Sequence, residues 1–257
     1  MHSLLNSRHA RMALAALTAI MASNAAVAAD KLYAPYVTKG ELELEYFGSV
    51  TVDDNASRDN KQKHKFAVGY GVNDFWFTEI YANLAKDAQD NVKFDNVEWE
   101  NIFQLTERGE YWVDVGASLA YEWSPKTSEA DTIEGRLLFA KDIDKTSHIL
   151  NLIGEKDVGS GPKEAFEGKA LWSSRYRYTQ AFEPGFEIRS DFGELKDTGG
   201  FNDQSHAIGP SAYGKIPLGL TQDHADGMKY RVGYLFGVSD AAADGDAFVQ
   251  LEYELHF

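Results

Sequence analysis

The chain has 257 residues, a formal net charge of −15 and 44% hydrophobic residues. So acidic a balance argues against nucleic acid as a partner, because the phosphate backbone is itself anionic. The lack of cysteine excludes a disulfide scaffold and any thiolate metal site.

Residues 1–29 read as a cleaved secretory signal. Arg8 and Arg11 form a basic start, Met12 to Met21 is uncharged and apolar, and Ala26-Val27-Ala28 is a small-x-small cleavage site. The apolar run is too short for a membrane helix, which needs about 20 residues, and no later stretch is long enough either. Residues 30–257 are then the mature domain.

Apolar and polar residues alternate along that domain with a period of two, which places them on opposite faces of β-strands. In segment 41–52, Leu42, Leu44, Tyr46, Val50 and Val52 oppose Glu41, Glu43 and Glu45. Segment 65–72 opposes Phe66, Val68, Tyr70 and Val72 to Lys65, Ala67, Gly69 and Gly71, and ends at the turn Asn73-Asp74. Segments 75–84 and 94–105 put Glu79, Glu98 and Glu100 on their polar faces. Around 113–123, Val113, Val115, Ala117, Leu119, Tyr121 and Trp123 alternate without a break. Segment 132–141 carries Glu134 and Arg136 on its polar face, and 148–156 places Leu150 and Leu152 outward with Asn151 inward. Segments 170–179, 186–195 and 229–238 carry Arg175, Arg177, Arg189 and Arg231 on theirs. Segment 206–216 is weakened by Gly209, Pro210 and Gly214. The last segment sets Val249, Leu251, Tyr253, Leu255 and Phe257 against Gln250, Glu252, Glu254 and His256.

Each segment is about as long as the 9–11 residues that a tilted strand needs to cross a bilayer. Short links follow segments two, four, six and eight, and longer polar links follow one, five, seven, nine and eleven, as in barrels with short periplasmic turns and longer outer loops; the short link after segment three and the long link Pro217 to Met228 after segment ten depart from that alternation. Trp76 and Trp112 fall beside the expected periplasmic turns, and Trp123 and Trp172 near the expected outer ends. The sequence therefore predicts an all-β fold: a single closed antiparallel transmembrane β-barrel of about twelve strands, an up-and-down meander, in the outer membrane of a Gram-negative bacterium.

Two resemblances point the same way. The terminal strand ending on Phe257 resembles that of bacterial outer-membrane barrels, which implies that Val249, Leu251, Tyr253, Leu255 and Phe257 act as an assembly signal for the barrel-assembly machinery. The stretches Phe103-Gln104-Leu105-Thr106, Gly109-Glu110-Tyr111-Trp112, Phe182-Glu183-Pro184-Gly185 and Tyr234-Leu235-Phe236-Gly237 are similar to those of uncharacterised proteobacterial outer-membrane proteins. That family implies a porin-like barrel and supplies no activity.

With the apolar face toward lipid, the polar face lines the lumen. An acidic wall of Glu41, Glu43, Glu45, Glu79, Glu98 and Glu100 then stands across from a basic wall of Arg136, Arg175, Arg177, Arg189 and Arg231. Such walls orient and select small polar solutes in a passive channel. A closed barrel that binds a ligand or partner through its outer loops is the alternative, and an outer-membrane hydrolase is the third reading. For the hydrolase, Ser147-His148 and Ser205-His206 are neighbours in sequence, and adjacent strand residues point to opposite faces; no Gly-x-Ser-x-Gly elbow is present. No enzyme activity, cofactor or metal site is expected. Asp53, Asp54, Asn55 and Asp59, like Asp240, Asp244 and Asp246, lack EF-hand spacing and read as solvated loop acids. Expected partners are membrane lipid, lipopolysaccharide, the assembly machinery and small polar solutes.

Overall fold

The structure is a computed structural model that describes residues 30–126, 129–160, 166–218 and 226–256. The expected signal segment and Phe257 lie outside the described residues.

Alternation becomes strand throughout. The elements are β1 (Glu41–Val52), β2 (Gln62–Gly71), β3 (Trp76–Lys86), β4 (Lys93–Gln104), β5 (Asp114–Trp123), β6 (Asp131–Ile143), β7 (Thr146–Val158), β8 (Glu167–Tyr176), β9 (Glu183–Glu194), β10 (Ser205–Pro217), β11 (Gly227–Gly237) and β12 (Gly245–His256). Each strand pairs antiparallel with its sequence neighbours, and β12 returns to β1 to close the barrel. The closing register runs from Glu41 opposite His256 to Val52 opposite Gly245. Closure leaves no unpaired edge, the condition for a sheet to cross a bilayer. At about 3.3 Å per residue and a tilt near 45°, strands of 10–13 residues rise about 23–30 Å, against a hydrocarbon layer about 30 Å thick.

The outer surface is the apolar one. Leu44, Phe66, Val68, Ile80, Trp99, Leu119 and Leu137 are exposed at strand positions. Together they form a band larger than the apolar patches that soluble monomers leave uncovered. Trp76 opens β3 and Trp112 lies in the 105–113 turn, at the end where β1 begins and β12 finishes, here called the lower end; Trp123 closes β5 at the upper end. Trp172 is a correction. Strand β8 begins at Glu167 rather than Ala170, so Trp172 pairs with Leu150 and Ile188 partway down the wall instead of at the rim.

Another expectation changes. The lower link 105–113 is as long as the upper loop 53–61, because β5 starts late: the Gly109 amide, with φ of 77° at that glycine, donates to Asp114 Oδ1 and holds the turn outside the sheet. Strand β10 runs from Ser205 to Pro217 with Pro210 opposite Phe186 on β9, while its ladder to β11 passes from Ile208 to Ser211 without Gly209 and Pro210, the interruption expected there.

The interior is also not purely polar. Phe47, Ala207, Leu235 and Phe248 form one buried apolar cluster, and Tyr33, Phe77, Ile102 and Leu138 form another. The first cluster joins neighbouring strands, β10 to β12 with β1, and the second joins β3, β4 and β6 through Tyr33 ahead of β1.

Candidate functional site in the lumen

The lumen is organised by a segment without regular structure. Ahead of β1, residues 30–38 turn back up into the barrel as a strap. Gly71 and Gly116 make room for it: a Cβ on Gly71 would lie 1.9 Å from the Thr38 carbonyl oxygen, and one on Gly116 would lie 2.7 Å from Pro35 Cβ. At the same lower end, Tyr36 donates from its hydroxyl to Asp114 Oδ2 (2.8 Å), and the Val37 amide donates to Gln104 Oε1 (2.9 Å).

At mid-height the strap bridges the barrel. The Tyr33 amide donates to Asn151 Oδ1 (2.8 Å), and Asn151 Nδ2 donates to the Tyr33 carbonyl (2.8 Å). The Asn151 amide thus pairs with Tyr33 as a neighbouring strand would. The Tyr33 hydroxyl meets the Tyr81 hydroxyl (2.9 Å) and Glu100. Lys31 Nζ lies 2.5 Å from Glu45 and 3.1 Å from Glu79 and donates to the Tyr81 hydroxyl at 2.7 Å. Arg136 donates to the Lys31 carbonyl (2.8 Å) and stacks over Tyr33, its carbon 4.9 Å from the ring centre. Because Glu45 is on β1 and Asn151 on β7, six strands apart in a ring of twelve, strap contacts reach opposite sides of the wall.

Above and below this bridge lie two cavities with no lining residue in common. The lower, about 630 Å³, is lined among others by Glu43, Glu79, Lys229, Arg231, Glu252 and Glu254. The upper, about 290 Å³, is lined by the bases Arg58, Lys61, Lys63, Lys169 and Arg189 and by the acids Asp30, Asp191 and Asp246.

Glu41, Glu43, Glu45, Glu79, Glu98 and Glu100 are all buried inside the barrel, as are Arg136, Arg189 and Arg231. Arg175 is half-buried, 3.2 Å from Glu183. Arg177 falls beyond the end of β8, in the lower turn, where it reaches Asp142 (2.8 Å) and the Asp144 carbonyl. Acid and base are more mixed than two separate walls. Glu187 takes both Arg231 (2.7 Å) and Arg189 (3.0 Å), Arg136 pairs with Glu134, and Lys65 pairs with Glu98 at 2.7 Å. Lys31 and Tyr33 escaped the sequence reading because they lie ahead of the first alternating segment.

The Ser-His neighbours separate as strand geometry requires. Ser147 Oγ donates to Asp142 (2.6 Å), while His148 meets the Thr146 hydroxyl (3.0 Å). A pair not foreseen does form: across β9 and β10, Ser190 Oγ lies 2.9 Å from His206 Nδ1, with His206 stacked on Phe201. The other ring nitrogen of His206 is buried without a partner among the described residues, so no carboxylate orients that imidazole as a triad requires. In the loops, Asp53 pairs with Arg58 (3.0 Å) and accepts from the Asn55 amide, and Asp244 accepts from the Asp54 amide. Those acids fasten loop to loop.

A closed meander of twelve strands, apolar outside and charged within, is the architecture of a membrane-spanning β-barrel. Solved porins share that fold. A KdgM porin superposes with a TM-score of 0.54 at 9% identity, over 83% of this chain and 99% of that one. A second KdgM structure, a complex with disordered oligogalacturonate, gives 0.54 at 8%, covering 83% and 99%. A NanC porin gives 0.53 at 8%, covering 84% and 100%. At such identities the likeness is one of fold. No protein-family model matches the chain, and no curated protein matches it.

Proposed function

We propose that the chain is a passive channel for small polar solutes in the outer membrane of a Gram-negative bacterium, and that it is not an enzyme. The observation that carries this reading is the pair of charged cavities on either side of the strap, 630 and 290 Å³, inside a wall whose outer face is apolar. Removal of residues 1–29 on export would free the strap, whose Asp30 lies 3.9 Å from Lys63 within the lumen. The outward Val249, Leu251, Tyr253 and Leu255, with Phe257, would be offered to the barrel-assembly machinery, and the apolar band and acidic loops would meet lipid and lipopolysaccharide.

Selectivity in this reading comes from uneven charge. Glu41, Glu43, Glu45, Glu79, Glu98 and Glu100 crowd the β1–β4 side, and Arg136, Arg175, Arg177, Arg189 and Arg231 come from β6 onward. A solute crossing between them feels a transverse field. The basic excess of the upper cavity favours entry of carboxylate-bearing sugars, a class that includes the oligogalacturonate of the KdgM complex.

Conductance in planar bilayers tests the reading. Discrete openings are expected, with ion preference shifted toward cations by Arg175→Ala combined with Arg177→Ala. A membrane that stays silent, both for the wild type and for a variant lacking the strap, removes the channel. It leaves the second reading, a closed barrel acting through its outer loops, which the Phe47–Leu235–Phe248 cluster and the strap favour.

A further inference from the structure

The seam between β1 and β12 places like charges face to face. Glu43 stands opposite Glu254 and Glu45 opposite Glu252 in register, a cross-strand arrangement that costs stability unless something neutralises it. Three bases reach the group. Lys31 serves Glu45 and Glu79, Lys229 serves Glu252 and Glu254, and Lys215 serves Glu254 at 2.6 Å. Six carboxylates, counting Glu41 with its partner His256 at 3.0 Å, thus share three ammonium groups.

The shortfall falls on particular atoms. Glu43 is 7% exposed, yet among the described residues it accepts no hydrogen bond and joins no ion pair. Among the described residues Glu45 Oε1 is likewise buried without a partner, its other oxygen being taken by Lys31. One carboxylate oxygen from each of Glu43, Glu45 and Glu252 lies within 4.8 Å of the others. Glu43 and Glu252 also line the lower cavity, which supplies room for water. Glu43 and Glu45 Oε1 thus converge without partners on Glu252, whose oxygens are held by Gln250 Nε2 at 2.6 Å and by Lys229 at 3.5 Å; such a group beside room for water is what a hard divalent cation requires, with oxygen ligands at about 2.3–2.6 Å for Ca²⁺ and water completing the shell.

We infer that Glu43, Glu45 and Glu252 form a lumenal site for a divalent cation of the Ca²⁺ type, which neutralises the β1–β12 seam. The site stands apart from the acidic loops, where Asp53 pairs with Arg58 and Asp53, Asp59 and Asp244 accept backbone amides. It does not depend on the barrel conducting.

Calorimetric titration of the folded, chelator-stripped barrel in detergent with CaCl₂ tests it. The wild type and Asp54→Asn should each bind one more Ca²⁺ per chain than Glu43→Gln, and Glu252→Gln should weaken that site at least tenfold. Superimposable isotherms for the wild type and Glu43→Gln would overturn the assignment. Folding of each variant is read from its heat-modifiable gel mobility. A measurement on the wild type alone guards against misfolded variants: its unfolding temperature should rise in millimolar Ca²⁺, as for any ligand that binds only the folded state, and no rise would equally sink the proposal.

Discussion

Asn151→Ala is the most direct probe of the strap. Asn151 is fully buried and makes both backbone hydrogen bonds to Tyr33, itself 5% exposed. Two such bonds are worth about 1–3 kcal/mol net, and the stranded Tyr33 amide and carbonyl add a desolvation cost of about 1–3 kcal/mol each. Since about 1.4 kcal/mol is a factor of ten in an equilibrium, the released strap should gain at least about tenfold in population. Lys31 and Arg136 still hold the segment, so the combined Asn151→Ala, Lys31→Met variant should release it further. Two readouts follow. Single-channel recordings should show longer or larger openings in the order wild type, single variant, double variant. A Leu32→Cys substitution, unique because the chain has no cysteine, should react faster with a water-soluble maleimide in the same order. Openings and labelling rates that are the same in all three backgrounds would refute the view that Asn151 fastens a strap across the lumen.

Three further outcomes follow. Leu119→Arg, at an exposed position midway along β5, should cost about 2–4 kcal/mol on the lipid face; reversible folding into lipid vesicles measures it, and no loss would contradict a bilayer at that height. Gly116→Ala should displace Pro35, against which its Cβ would press at 2.7 Å, and should raise conductance, at some cost to the wall because the same Cβ would lie 2.9 Å from the Phe103 carbonyl oxygen of β4; unchanged conductance would mean that the strap tolerates the intrusion. Arg231→Leu leaves Glu187 held by Arg189 and Tyr213 alone and should destabilise the barrel by about 3–5 kcal/mol, as breaking a buried pair does; urea unfolding in detergent checks it, and a loss under about 1 kcal/mol would mean that the remaining partners suffice.

The strands were legible because the physical demand on them is local. A wall with lipid on one side and charge on the other writes a period of two into each segment, and the turn at Asn73-Asp74 keeps that period apart from its neighbours; a turn expected at Glu183-Pro184-Gly185 falls instead at residues 177–182, and those three residues open β9. Ends were harder to read. Strand β2 begins with Gln62, Lys63 and His64, polar on both faces because that stretch rises above the apolar band, and the same effect moved the start of β8 and with it the depth of Trp172. Phe47 was hidden by its neighbour Tyr46, since two adjacent aromatics cannot both mark the outer face. The strap left no periodic trace at all: its partner Asn151 is 118 residues from Tyr33, a distance no local pattern encodes. Yet the inward glutamates of β1 and β3 carried an indirect sign. Those two strands bear Glu43, Glu45 and Glu79 with no inward base of their own, and a narrow lumen cannot hold that much negative charge alone. Compensation had to come from elsewhere in the chain, and the first lysine of the mature segment, Lys31, supplies part of it; the part it leaves uncompensated is what makes the β1–β12 seam a place for a cation.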